Sequence, residues 1–368
     1  MVNHESLPPP LVDVLETATG PFHFEGDTYV VFRGPADRVE LVTWMPSFPA
    51  VAEFRRLGTD MFFLRLPLPA TARIEYRLRV AQGRRHAEID DPLNPPATSN
   101  PFGENSVLAG PRYQEPWYAG SGFGGQLTEI RVASTWLQGR RHHHLYVPAG
   151  QTLGQVTAIL LVHDGSDFLN HAGLGVALDR LVERGALPPL VAILLDPWDR
   201  LAEYGGSARH SAHVVEEVLP HVARRLRIQA DRERTVAMGS SLGALASLAL
   251  AYHHPAAIGG VASLSGSFFH QGDNELPPAA LFPILDFLTH LDPVILQDSV
   301  VYQSVGRYEG LVDGNRRLRP LLSAAGVKLR SVETWTGHDW DAWRDRLEDA
   351  LGFLLPPPDS PNRLETDG

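Results

Sequence analysis

The chain has 368 residues, 32 basic against 43 acidic side chains, a formal net charge of −11 and no cysteine. That length allows two or three domains, and the missing cysteines exclude disulfides, thiolate nucleophiles, iron–sulfur clusters and cysteine-ligated zinc. An acidic balance without a long basic block excludes nucleic acid as an expected partner, and the longest apolar runs fall short of the ~20 residues a membrane-spanning helix needs.

The start, MVNHESLPPPLVDVLE, lacks the basic opening, apolar core and small-residue cleavage site of a secretion signal, which predicts cytoplasmic residence. Residues 21–115 hold short runs with period-two apolar residues, FHFEGDTYVVFRG, RVELVTWMP, DMFFLRLPLP and ARIEYRLRVAQG, separated by Gly, Pro, Asp and Asn. They predict a small β-sandwich of early-set or immunoglobulin-like type. Asp90–Glu115, rich in Pro, Asn and Gly and without periodicity, reads as an extended surface connector.

The texture changes from about residue 125. LTEIRVAST and RRHHHLYVPAG predict paired strands, and VTAILLVHDG, LVAILLD, RTVAMGSS, IGGVASLSGS, SVVYQSVGR and LRSVETWTGH are short buried-type runs between helical stretches. Continuous Val, Ile and Leu flanked by glycine is what a parallel strand covered on both faces requires. Residues 125–355 are thus expected to form an α/β domain, a mostly parallel sheet flanked by helices. Pro220 falls inside the helical pattern SARHSAHVVEEVLPHVARRLRI and should kink or split that helix. Residues 356–368, Pro-rich and polar, read as a disordered tail.

The sharpest signal is Gly239-Ser240-Ser241-Leu242-Gly243, between the apolar run RTVAM and the helical pattern ALASLALAYHHP. G-x-S-x-G in a strand-to-helix turn is a nucleophile elbow, in which small flanking residues let a strained backbone lift the serine above the sheet. Ser241 is therefore the candidate nucleophile, against the blander reading of a tight turn with Ser240 as helix cap. A serine hydroxyl needs a base. Among 16 histidines, His338 in WTGHDWDAW stands in a glycine-led loop beyond a predicted strand. Asp339 and Asp341 beside it suit the following helix N-terminus. In the α/β-hydrolase order an acid lies between serine and histidine. Glu309, after the strand SVVYQSVGR, is the first candidate and Asp313 its rival; Asp286, Asp292 and Asp298 come before or within the strand. The oxyanion would be bound by the N–H of Leu242 and by that of Gly165 or Ser166 in LLVHDGSDF, with His163 and Asp164 as scaffolding. Of His142, His143 and His144, only the first and last share a strand face, and no third ligand accompanies them; no metal and no cofactor are expected.

LLVHDGSDF, GALPPLVAILLDPWDRLAEYGG, EEVLPHVARRLRI, VAMGSSLGALASLALAYHHP, ASLSGSFF, VGRYEGLVDGNRRLRPLL and GHDWDAWRDRL follow in the order of enterochelin (ferric enterobactin) esterases and the broader esterase D-like hydrolases, and DDPLNP resembles the link after their N-terminal sandwich. The resemblance implies an α/β-hydrolase fold preceded by a β-sandwich. It also implies Ser241, His338 and Glu309 as catalytic residues, an R-x-x-E pair at Arg200 and Glu203, and a pocket including Arg200, Phe168, Trp198 and Phe268. The chain has Phe168, Phe268 and Phe269 where several of those esterases carry tryptophan. The implied partner is a small-molecule ester, a siderophore trilactone, hydrolysed through an acyl-enzyme. The alternatives are a feruloyl or acetyl esterase with a sugar-binding sandwich, and a non-catalytic ligand-binding protein on the same fold.

Overall fold

The computed structural model describes residues 7–48, 53–98, 101, 103–269 and 278–357; residues 358–368 of the expected tail lie outside them. The backbone divides into two compact units. The first comprises Met1–Gln114 with two short segments from much later in the chain, Arg307–Glu309 and Thr334–Asp339; the second comprises Glu115–Gly306, Gly310–Glu333 and Trp340–Gly368.

The first unit contains β1 (Phe22–Phe24), β2 (Asp27–Arg33), β3 (Arg38–Val42), β4 (Arg55–Leu57), β5 (Met61–Leu66), β6 (Arg73–Gln82), β7 (Arg85–Ile89) and β8 (Ser106–Ala109). They form two antiparallel sheets, β1-β2-β5-β4 and β3-β6-β7, with β8 also on β6. Alternate residues turn inward. Val30, Phe32, Phe62 and Leu64 of one sheet share a core with Val39, Leu41, Ile74 and Leu78 of the other. A helix absent from the sequence expectations, Pro9–Thr17, starts on a proline, which the first turn tolerates. It buries Leu11 and Leu15 against Tyr29, Val31 and Phe63.

Asp90–Glu115 is not the surface connector its composition suggested. β8 pairs with β6 from Arg73↔Ala109 to Tyr76↔Ser106, and the irregular backbone before it is satisfied by buried side chains. Tyr76 donates its hydroxyl to Asp91 Oδ2 at 2.5 Å, and Asn94 Nδ2 donates to the Val107 carbonyl at 2.7 Å. Burial pushes the Asp91 carboxyl up, against the hydrogen bonds from Tyr76 and the backbone that hold it down.

The second unit is built on one eight-stranded sheet containing β9 (Gln126–Ala133), β10 (Arg140–Val147), β11 (Ala158–His163), β12 (Leu190–Leu195), β13 (Thr235–Ser240), β14 (Gly260–Leu264), β15 (Val300–Gly306) and β16 (Lys328–Thr334). The order is β16-β15-β14-β13-β11-β12-β10-β9. β12, β11, β13, β14 and β15 run parallel, and β9 and β10 are antiparallel additions. Every residue of β11, β12, β13 and β14 is buried. Side chains alternate between two cores: Ile159, Leu161, Val191 and Ile193 on one face, Leu160, Val162, Ala192 and Leu194 on the other. Because β11 lies between β12 and β13, the chain leaves it in opposite directions for its next two strands. Ligands of open α/β sheets bind at the carboxyl ends of strands around such a switch point. Among the described residues no helix is long and apolar enough to cross a membrane.

The Pro220 helix neither breaks nor ends. Ala208–Ala212 runs into a π-helical turn, His213–Val218, and then into Leu219–Leu226. The Leu219 N–H reaches back to the Val214 carbonyl. The wider turn thereby absorbs a residue that lacks an N–H and would crowd the carbonyl four residues before it.

Replacing Tyr76 by Phe should leave Asp91 one hydrogen bond short in a buried site and destabilise the first unit by ~1–3 kcal/mol. A lowered urea midpoint monitored by near-UV circular dichroism is the expected result; an unchanged midpoint would show that this bond does not fasten the 90–109 segment.

Candidate active site

Ser241 stands between the last residue of β13 and the helix Leu242–His253, with φ 56° and ψ −121°. A non-glycine residue there carries strain of ~1–3 kcal/mol and persists only where its surroundings dictate it. Its N–H donates to the Leu264 carbonyl at 2.9 Å, and its carbonyl accepts from Ser267 N–H at 3.1 Å and Ala244 N–H at 3.2 Å. Gly239 is a steric requirement and Gly243 leaves little room for more. A Cβ on Gly239 would stand 2.4 Å from the Gly243 carbonyl group, and one on Gly243 3.1 Å from Asp164 Oδ2. Ser241, not Ser240, occupies the cap position of the helix, and its side chain makes no capping bond. Its Oγ lies 3.2 Å from Ser267 Oγ. Ser267 is a neighbour the motif reading missed; its only signal was a small-residue SGS run after a buried strand. Asn315 Nδ2 holds that run by donating to the Gly266 carbonyl at 2.8 Å.

The loop after β11 is equally constrained. Asp164 has left-handed backbone angles, φ 54° and ψ 41°, and its N–H donates to the Tyr204 hydroxyl at 3.1 Å. Arg200 grips its carboxylate with Nε at 3.0 Å from Oδ1 and a terminal nitrogen at 2.7 Å from Oδ2. Burial raises the Asp164 carboxyl while Arg200 holds it down. A Cβ on Gly165 would come within 2.5 Å of Leu194 Cα, so only glycine fits. Of the two expected oxyanion donors here, Ser166 is already engaged, its N–H donating to Asp196 Oδ1 at 3.0 Å and its hydroxyl to Oδ2 at 2.6 Å. Leu242 is the first residue of its helix, whose leading N–H groups have no intrahelical partner.

Two expected pocket residues belong to the core instead. Phe168 is fully buried and meets Trp340 edge-on at 5.3 Å, and Phe268 is buried in the apolar layer with Phe269 and Leu311. An aromatic next to a functional loop is as readily claimed by packing as by a ligand, and here packing wins. Trp198 is exposed and stacks on the Arg141 guanidinium at 4.1 Å.

Within the first unit, His338 Nδ1 lies 2.5 Å from Glu309 Oε2, with Glu309 buried and His338 partly open. Asp313 sits on the exposed first turn of the helix Val312–Ala324 and pairs with Arg316 at 3.7 Å. Arg307 N–H donates to the Thr334 carbonyl at 2.8 Å and Tyr308 N–H to that of Thr336 at 3.2 Å, which aligns the two segments. Gly337 allows Met45 to approach, since a Cβ would be 2.7 Å from its sulfur. Asp339 pairs with the buried Arg73 at 3.2 Å, and Asp341, in the first turn of the helix Trp340–Arg344, pairs with Arg344 at 2.8 Å.

Behind the elbow lies a buried polar cluster that the sequence reading did not foresee. Ser247, on the elbow helix, donates to the Gly243 carbonyl at 2.8 Å, so its oxygen accepts from His163 Nδ1 at 2.8 Å. His163 Nε2 then accepts from His210 Nε2 at 3.1 Å, and His210 Nδ1 faces Glu203 Oε2 at 3.6 Å. Glu203 also accepts from Arg141 at 3.0 Å and from the Trp198 and Asp199 N–H groups. A second imidazole pair, His143 with His213 at 3.1 Å, ends on Glu217, 2.7 Å from His213 Nδ1. His142 and His144 face the other way on β10, beside Glu129 and Asp196. Burial, then the adjacent His213 and His210, push the His143 imidazole down to about 3. Burial and His210 hold His163 well below the ordinary value, and burial lowers His213 against the pull of Glu217. For Glu203 burial works upward, but His210, the Asp199 N–H and Arg141 outweigh it and hold the carboxyl at about 2.

A strained serine turn beside the switch point of a mostly parallel sheet defines an α/β-hydrolase. Residues 134–277 match the family model described as putative esterase. The iron(III) salmochelin esterase of Escherichia coli O6:H1 (strain CFT073) is 29% identical over 325 residues, 80% of this chain and 78% of that protein. The iron(III) enterobactin esterase of Dickeya dadantii (strain 3937) is 29% identical over 251 residues, 62% of this chain and 55% of that protein, so the match spans little more than half its length. In fold, the chain matches the crystal structure of the Shigella flexneri enterobactin esterase in the presence of enterobactin, with a TM-score of 0.74 at 21% identity over 92% of this chain and 96% of that one. The chain is thus similar in sequence to enterobactin and salmochelin esterases and shares the α/β-hydrolase fold of the solved ones.

The buried imidazoles give acid sensitivity a definite sign. Neutral in the folded state but titrating near 6.5 once unfolded, they let the unfolded chain bind more protons, so stability is full above that value and falls as the pH drops through it toward 3. Glu203 adds a loss that starts lower, from 4.5 toward 2. The urea midpoint should therefore fall between about pH 7 and pH 5, and His143→Gln should flatten that slope by up to ~1.4 kcal/mol per pH unit. An identical slope in the variant would refute a neutral, buried His143.

Proposed function

We propose that the protein is a serine carboxylic-ester hydrolase acting on a siderophore ester of the enterobactin class, a cyclic trilactone. The observation that carries this reading is the backbone of Ser241, strained at a strand-to-helix turn between Gly239, where a Cβ would strike the Gly243 backbone, and Gly243, where one would be tightly crowded. The names of the relatives, which act on enterobactin and salmochelin, support the choice of ester.

In this reading Ser241 Oγ attacks a lactone carbonyl while His338 Nε2 takes its proton. Glu309, on the opposite ring nitrogen, fixes the tautomer and stabilises the imidazolium. The negative charge that develops on the carbonyl oxygen is met by the N–H groups of Leu242 and Gly165, because the Ser166 N–H is committed to Asp196. His338 then returns the proton to the leaving alkoxide as the acyl-enzyme forms. Water, deprotonated by the same imidazole, attacks the acyl carbon and frees Ser241. Arg200 is assigned to the oxyanion loop: its two bonds to Asp164 set the left-handed residue immediately before Gly165.

Ser241→Ala should lower hydrolysis of enterobactin and of p-nitrophenyl acetate by about four orders of magnitude or more. Normal turnover by that variant, or a fluorophosphonate adduct elsewhere than on Ser241, would overturn the assignment. Arg200→Met separates two roles. As a support of the loop it should cut kcat on the neutral p-nitrophenyl ester by about 10- to 100-fold; a pure recognition role would raise KM for anionic substrates and leave the neutral ester untouched.

A further inference from the structure

In the second unit β9 is an edge of the sheet, and β10 is its only strand neighbour among the described residues. The two pair antiparallel, from Arg140↔Ala133 to Val147↔Gln126. One step beyond the ladder, Ser134 N–H donates to the Gly139 carbonyl at 2.8 Å. In an antiparallel pair alternate residues bond across the ladder, so the parity of the whole strand follows. The even-numbered residues of β9 bond to β10. Leu127, Glu129, Arg131 and Ala133 direct their N–H and C=O groups to the open edge.

These four residues are all exposed, whereas Ile130 and Val132 between them are buried on the other face. The edge is eight residues long and carries neither proline nor glycine, the residues that commonly mark protected or bulged edges. Its charges are ordered: Glu129 and Arg131 are opposite in sign and two residues apart, at present bonded to each other at 3.1 Å. Hydrogen bonds from Arg131 and then His142 hold the Glu129 carboxyl down to about 2, so the pattern persists at any ordinary pH.

We propose that β9 is a homodimer surface on which a second copy of this chain adds its own β9 antiparallel, with the twofold axis at Ile130. Only this register satisfies both constraints. Edge-directed residues must face edge-directed residues, which places the axis opposite an odd- or even-numbered residue but keeps odd with odd. An axis at Glu129 or Arg131 sets like charges directly opposite, and an axis at Thr128 or Val132 leaves both charges facing uncharged residues. With the axis at Ile130, Glu129 faces Arg131 of the second copy, Arg131 faces its Glu129, and Leu127 faces its Ala133. The two sheets become one, joined by about eight backbone hydrogen bonds. The ladder supplies the attraction and the charges select the register.

Sedimentation velocity across the micromolar range tests this without any reference to ester hydrolysis, so it succeeds or fails independently of the proposed function. The wild-type chain should show a concentration-dependent monomer–dimer equilibrium. Arg131→Glu alone and Glu129→Arg alone should each weaken dimerisation by about tenfold or more, because each sets like charges opposite one another. An equimolar mixture of the two variants should dimerise again, since every pair in the mixed dimer is then complementary. Arg131→Pro removes an edge-directed N–H without touching a bond to β10 and should also be monomeric, with an unchanged far-UV circular dichroism spectrum. A wild-type chain that stays monomeric throughout, a dimer indifferent to Arg131→Glu, or a variant mixture that fails to dimerise would overturn the proposal.

Discussion

Much of the second unit can be understood as the set of contacts that hold Ser241 at φ 56° and ψ −121°. A free chain would relax that residue into an ordinary basin. It is kept there by the Leu264 carbonyl beneath its N–H, by Ser267 and the first helical turn on its carbonyl, and by glycines that let the turn close on itself. Asn315 fastens the Ser267 loop from another helix. The strain is local, but the restraint draws on β13, β14, the elbow helix and the helix Val312–Ala324.

The same economy extends behind the elbow. Ser247 and His163 join the elbow helix to the last residue of β11, and His210 with Glu203 joins both to the helices that follow β12. Four imidazoles in an apolar layer are expensive unless each finds a partner. They are arranged as two nitrogen-to-nitrogen pairs; His213 Nδ1 bonds to Glu217, His210 Nδ1 stands 3.6 Å from Glu203, and His143 Nδ1 has no hydrogen-bond partner among the described residues. One pair leads to the elbow helix; the other reaches Thr135, in the turn between β9 and β10, through Glu217. The π-helical turn at His213–Val218 accommodates Pro220, and its first residue is one of the four imidazoles.

What was legible in the sequence follows from the range of the forces involved. β11 to β14 announce themselves because a strand buried on both faces must be apolar throughout. The elbow is legible because its close approach of strand and helix crowds both glycine positions within five residues. Glu309 was separable from Asp313 only as the residue nearer a strand end; it is Glu309 that lies beside His338, whereas Asp313 pairs with Arg316. By contrast, Phe168 and Phe268 sit in loops where sequence cannot tell a pocket wall from a core. His143 lies between two outward-facing neighbours, and its partner is 70 residues away. Asp90–Glu115 misled for a related reason: its order comes from Asp91, Asn94 and Ser106 side chains meeting the backbone, which has no period to detect.

Least visible of all is that the segments carrying Glu309 and His338 belong structurally with the first unit. Tyr308 and Trp335 are members of its apolar core, with Tyr308 edge-on to Phe48 at 5.1 Å and Trp335 beside Tyr308 at 5.8 Å. Arg73 receives the Trp335 carbonyl on its N–H at 3.0 Å and pairs with Asp339, the residue after His338. The imidazole and its carboxylate are thus flanked on both sides by residues whose packing partners come from Met45, Phe48 and Arg73. It follows that the first unit is not built from one continuous stretch of chain, because its core includes residues from the 307–309 and 334–339 segments. Removing residues 1–114 would expose Tyr308 and Trp335 and free the backbone that sets the distance between Glu309 and His338, so the loss would fall on that pair itself.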